Sequence, residues 1–137
     1  MATTISTNGR KKLKTLQDEF NDKFSHLKIE FFSKPIEYDQ NGGFSKKFKL
    51  NNNKSLSEVR KLKGKGEISL NGRKKIINIE KEFKNIFGLY VVIYGWSINW
   101  GKSLTDEEWV PTTVINYSLT KANDFNKKSK TLPKKDW

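Results

Sequence analysis

The chain has 137 residues, with 27 Lys/Arg against 15 Asp/Glu, a formal net charge of +12 and only 34% hydrophobic residues. Cysteine is absent, which excludes a disulfide framework and thiolate chemistry. No apolar run reaches the length of a signal peptide or a membrane span, so no membrane contact is expected and the expected location is cytoplasmic.

The elements read in order as follows. Thr3–Thr7 is a strand, followed by Asn8-Gly9, a strong hairpin signal because a type I′ turn needs positive φ at both central residues. Arg10–Lys14 is the expected return strand. Thr15 then caps a helix with Asp18 and Glu19 near its start, where the helix dipole favours acids, and with Leu16, Phe20 and Phe24 along one apolar stripe. Leu27–Phe32 reads as a strand with Leu27, Ile29 and Phe31 inward. Residues 33–53 hold a Gly42-Gly43 turn and a possible strand around Phe44, Phe48 and Leu50, and Ser55 caps a short helical turn.

Glu67–Leu70 is the next strand, followed by Asn71-Gly72 and an expected return strand over Arg73–Ile77. Asn78 is the expected cap of a second helix, with Glu80 and Glu82 in its first turns and Ile79, Phe83 and Phe87 as its apolar stripe. Gly88 sits where a left-handed residue ends a helix. Leu89–Tyr94 is apolar nearly throughout, as a strand buried on both faces would be. Trp109–Tyr117 reads as another strand, and Ser118 as a second cap before a short turn.

These elements are written twice. Residues 5–32 and 68–95 align without gaps at an offset of 63, with ten of twenty-eight positions identical, where unrelated sequence would give roughly two. The register returns after a divergent middle, since Asn53, Ser55 and Leu56 fall on Asn116, Ser118 and Leu119. A tandem duplication is therefore expected, with units over 1–66 and 67–125 and a basic flexible tail over 126–137. Units so small bury little surface alone and are expected to pack on each other. Residues 1–66 hold fifteen Lys/Arg against seven Asp/Glu, and 67–137 hold twelve against eight. The positive charge thus reads as concentrated in the first unit and the tail.

The order of hairpin, capped helix, strand and short Ser-Leu turn resembles the ubiquitin-type β-grasp. The Asn-Gly-Arg turn and the helix end Phe83, Phe87, Gly88, Leu89 are also similar to small tandem-repeat ubiquitin-like bacterial proteins. The resemblance implies an α+β fold of two β-grasp-like units and brings no activity. The chain ends Lys134-Lys135-Asp136-Trp137, without the Gly-Gly that ubiquitin conjugation uses. A ferredoxin-like β-α-β-β-α-β order is the alternative, should the hairpins lose their return strands.

Candidate chemistry is sparse. His26, the sole histidine, lies at a helix-to-strand junction and reads as a packed junction residue. Gly101-Lys102-Ser103 matches the end of a phosphate loop, but Trp96 stands where the pattern needs glycine. The Lys63–Gly66 run reads as a turn. Asp106, Glu107 and Glu108 are adjacent in sequence and read as a solvated loop rather than a cation site. With no nucleophile–base set, no metal site and no cofactor motif, an enzyme is not expected.

Two surfaces stand out. Arg10, Lys11 and Lys12 and their repeats Arg73, Lys74 and Lys75 are candidate polyanion contacts, with Lys46, Lys47, Lys49, Lys54, Arg60, Lys61, Lys63 and Lys65 adding charge to the first unit. Trp96, Trp100 and Trp109 crowd the divergent part of the second unit. Trp96 and Trp109 read as core, and Trp100, between Asn99 and Gly101, as the exposed contact for a protein partner. The function expected is a non-catalytic binding or adaptor module acting on a protein partner within a larger assembly. The alternative is a basic nucleic-acid-binding accessory protein. The oligomeric state is not legible.

Overall fold

The computed structural model describes residues 5–6, 10–38, 44–62, 68–98, 107–112 and 114–126. The architecture is α+β. Its elements are β1 (Ile5–Ser6), α1 (Leu13–Lys23), β2 (Leu27–Phe32), β3 (Glu37–Tyr38), β4 (Phe44–Ser45), α2 (Leu56–Val59), β5 (Ser69–Leu70), α3 (Ile76–Glu82), β6 (Tyr90–Ile98), β7 (Glu107–Pro111) and α4 (Leu119–Asn126). A π-helical turn over Phe83–Phe87 extends α3. Among the described residues no helix is long and apolar enough to cross a membrane.

The two helices that carry the apolar stripes start 63 residues apart, at Leu13 and Ile76. Both start earlier than their side chains suggest. The expected caps Thr15 and Asn78 lie inside the helices, and the N-cap positions are Lys12 and Lys75, which make no side-chain cap. The first N–H groups of each helix are satisfied by another part of the backbone instead. Leu13 N–H donates to the Lys54 carbonyl at 2.9 Å and Lys14 N–H to Asn52 at 2.8 Å; Ile76 N–H donates to Tyr117 at 3.1 Å and Ile77 N–H to Ile115 at 2.9 Å. In return Leu56 N–H donates to Lys11 and Leu119 N–H to Lys74, each at 3.0 Å. Lys12 and Ser55 thus form one isolated antiparallel bridge, and Lys75 and Ser118 another.

Those bridges replace the expected return strands. Arg10–Lys14 and Arg73–Ile77 are turn, bridge and helix start rather than strand. Gly72 does not adopt the expected positive φ, because the chain leaves Asn71 into a helix and not into a hairpin; Gly9 lies outside the described residues. Gly88 is the one described glycine at positive φ, at φ 69° and ψ 25°, where it ends the π turn as expected.

The strands pair between the halves of the chain. β1 runs antiparallel to β5 with Ser6 opposite Ser69, two residues that are equivalent in the repeat. β2 runs antiparallel to β6, with Glu30 opposite Val92, and β7 continues the sheet beyond β6. β3 and β4 form a separate short ladder. The repeat spacing shifts here from 63 to 62, because the first junction reads Phe24, Ser25, His26, Leu27 and the second only Phe87, Gly88, Leu89. At this spacing the sheet's flanks match: Phe32 pairs with Lys49 as Tyr94 pairs with Pro111, and Leu50 N–H donates to Phe31 as Thr112 N–H donates to Ile93, both at 2.9 Å.

One face of this sheet meets the helices. Phe20, Phe24, Leu27, Ile29 and Phe31 from the first half and Ile79, Phe83, Phe87, Val91 and Ile93 from the second share a single buried cluster. The Phe31 and Phe83 rings lie 5.6 Å apart within it. The other face is covered as well, by Phe32, Val92 and Tyr94 against Ile36, Phe48 and Tyr90. All six residues of β2 are therefore buried, not only the expected inward three. The expected strand Trp109–Tyr117 is shorter than anticipated: β7 stops at Pro111, and one further backbone bond follows it. The expected short turn after Ser118 is an eight-residue helix that reaches Asn126.

Candidate functional site

β7 pairs with β6 only over Tyr94–Ile98. Among the described residues the next bond is the last: Thr112 N–H donates to the Ile93 carbonyl at 2.9 Å, and Ile115 then receives the Ile77 N–H of α3. Backbone groups alternate sides along an antiparallel strand, so the N–H and C=O of Val91 face the same edge as those of Ile93. Among the described residues nothing is hydrogen-bonded to Val91 on that edge. A groove of about 390 Å³ lies there. Val91, Val92 and Ile93 form its floor, Ile77, Glu80, Lys81 and Lys84 of α3 one wall, and Pro35, Ile36 and Tyr38 the other, with Pro111, Thr112 and Ile115 at one end.

The matching edge in the first half is closed. Gln17 is buried, donates Nε2–H to the Ile29 carbonyl at 3.0 Å and accepts at Oε1 from Asn52 Nδ2 at 3.1 Å. Ile29 corresponds to Val91, Gln17 to Glu80 and Asn52 to Ile115. A carboxylate has no proton to donate to a carbonyl, so Glu80 cannot seal its edge as Gln17 does. Burial pushes the Glu80 carboxyl above the usual carboxylate range. Tyr38, on the opposite wall, is 61% exposed, and burial of part of its ring together with the Glu80 charge raises its hydroxyl.

Three lysines converge on Glu30, which is fully buried on the outer face of β2. Its carboxylate lies 2.7 Å from Lys49 Nζ, 3.0 Å from Lys46 and 3.8 Å from the buried Lys28. Burial alone raises the Glu30 carboxyl, but the Lys49, Lys46 and Lys28 ammonium groups and the neighbouring Tyr94 hydroxyl outweigh it and hold it low. The Tyr94 hydroxyl moves up through burial and the neighbouring Glu30 carboxylate. Lys28 and Lys46 also sit over the Tyr94 ring, at 5.6 and 5.0 Å.

Other first-half cations are similarly engaged. Lys54 lies 3.7 Å from Glu58, Arg60 covers the Phe87 ring at 4.5 Å, and Lys61 Nζ donates to the Ser33 carbonyl. Lys11 pairs with Glu19 at 2.8 Å. Several of the first unit's lysines are therefore also engaged in ion pairs within the chain. In the second half Arg73, Lys74 and Lys75 come together in a groove of about 540 Å³, with Asn71, Asn78, Lys81, Glu82 and Asn85.

The remaining sequence candidates separate. His26 is half-buried at its junction; its backbone N–H donates to Asn123 Oδ1 at 2.8 Å and its Nδ1 lies 3.1 Å from Ser25 Oγ. Trp96 and Trp109 stand opposite each other on β6 and β7. Trp100, Gly101, Lys102, Ser103, Asp106 and the Lys63–Gly66 run lie outside the described residues. The open edge at Val91 was not among the sequence candidates, although the Gln17-to-Glu80 exchange at equivalent positions of the two repeat helices is its trace. Comparison with family models, curated proteins and solved structures finds no match to this chain.

Proposed function

We propose that the protein is a non-catalytic binding module that captures an extended segment of a protein partner along the outer edge of β6. The observation that carries this reading is the Val91 backbone, whose N–H and C=O face a groove instead of a neighbouring strand. An added strand would take both bonds, while alternate side chains meet the Ile77 and Ile36 walls. Glu80 suits a Lys or Arg on the incoming segment, and the exposed Tyr38 ring supplies contact area at the rim. The scaffold is read as a tandem duplication of one β-grasp-like α+β unit, supported by the helix starts, bridges and paired Ser6 and Ser69 that recur at a spacing of 63. In this reading the copies exchange strands, and their divergence opens one edge while Gln17 keeps the other shut.

The test is selection of a random-peptide library on the full chain, followed by Val91→Pro. Proline removes the edge-facing N–H without touching the ladder to β2. Selected peptides should lose binding to the variant while thermal unfolding stays cooperative. Binding that survives Val91→Pro in a folded chain would reject strand addition.

A further inference from the structure

We propose that the cationic groove at the start of α3 binds the phosphodiester backbone of nucleic acid, and that the equivalent surface at the start of α1 does not. The second groove carries Arg73, Lys74, Lys75 and Lys81 against one carboxylate, Glu82. That carboxylate is already held by Lys74 at 2.7 Å. The same pair recurs in the first half as Lys11 and Glu19, at 2.8 Å, so the two surfaces share a frame. Their other charges differ. Lys81 is replaced by Asp18 and Asn85 by Asp22, which leaves three cations facing three carboxylates in the first half.

The rest of the lining identifies the ligand class. Apart from the charged residues the second groove is lined by Asn71, Asn78 and Asn85, with no apolar side chain. A protein partner or a lipid tail finds no anchor there. Phosphate oxygens find cations, and sugar or base edges find amides that both donate and accept. Asn78 and Asn85 lie seven residues apart along the helix, about 10 Å. A row of that length follows a chain, and its concavity fits a strand better than a planar membrane surface. The site is separate from the edge of β6 except at Lys81, which lines both grooves.

The experiment is fluorescence anisotropy of the full chain with a labelled mixed-sequence single-stranded 20-mer, at a series of salt concentrations. Arg73→Glu/Lys75→Glu leaves Lys81 intact and should weaken binding at least tenfold. It should also flatten the plot of log affinity against log salt by about 1.4, since each lost phosphate contact removes roughly 0.7. Arg10→Glu/Lys12→Glu should change neither by more than about a third of that. Asp18→Lys/Asp22→Asn copies the second groove into the first and should raise the stoichiometry from one strand to two, a gain that misfolding cannot imitate. Equal losses from the two charge reversals, no second site in the copied groove, or binding to anionic vesicles but not to the oligonucleotide would overturn the assignment.

Discussion

Exchanging the residues at one repeat position tests how the two edges differ. Glu80→Gln places on α3 the amide that Gln17 uses on α1, within the same frame relative to Val91 as Gln17 has to Ile29 at 3.0 Å. One buried side-chain hydrogen bond is worth about 1 kcal/mol net, and loss of a partly buried carboxylate adds in the same direction. A gain of that size raises the unfolding midpoint by about 3–5 °C for a chain of this length. The gain depends on pH with a defined sign. Burial raises the Glu80 carboxyl in the folded state, so the stability linked to its proton is complete below the ordinary Glu range. It is lost as pH rises through that range to the raised value. Glutamine has no such loss, so the advantage of Glu80→Gln should be small at pH 4 and full at pH 7. The reciprocal Gln17→Glu removes the donor to Ile29 and buries a charge, at a cost of about 2–3 kcal/mol at neutral pH. Differential scanning fluorimetry across pH 4–8 reads both. An unchanged midpoint for Glu80→Gln at pH 7, or a gain equal at both pH values, would refute the reasoning.

Other substitutions probe the frame. Glu30→Gln leaves the buried Lys28 and its neighbours without their counter-charge and should cost about 3–5 kcal/mol in urea unfolding. Because the Glu30 carboxyl is held low, its contribution is present above the ordinary Glu range and should disappear as pH falls through the lowered value, which acid titration of stability will show. Gly88→Ala should cost about 1–2 kcal/mol from the left-handed backbone alone; the added Cβ would also approach Lys61 Cβ at 3.0 Å, so Gly88→Val should cost more by the same assay. Phe20→Ala and Phe83→Ala remove fully buried rings at matching points and should each cost about 3–5 kcal/mol, measured by chemical denaturation.

Local periodicity made the helices legible. Phe20 and Phe24, like Phe83 and Phe87, fall on one face at helical spacing, and both pairs are buried. Gly88 was legible because few residues other than glycine end a helix in the left-handed region. The helix starts were not, since the groups that satisfy Leu13 and Ile76 are backbone carbonyls about forty residues away and leave no side-chain signature. The same non-locality hid the sheet. Asn-Gly suggested a turn back onto the preceding strand, whereas Ile5 pairs with Leu70 across the repeat. For the candidate sites, Arg73, Lys74 and Lys75 do share a groove, whereas the pairing of Lys46 and Lys49 with a buried Glu30 was not legible, because composition cannot locate that carboxylate. Gln17 and Glu80 occupy equivalent positions at the repeat offset of 63. What the exchange means emerges only once β2 and β6 have edges.

The central claim is that the edge of β6 at Val91 stands open for an added strand. Residue-resolved amide hydrogen exchange on the free chain and on its complex with a selected peptide tests it most directly. Val91 should exchange much faster than Val92, whose backbone pairs with Glu30, and should become protected when the peptide binds. A Val91 amide already as slow as Val92 in the free chain, or one unprotected in the complex, would contradict it.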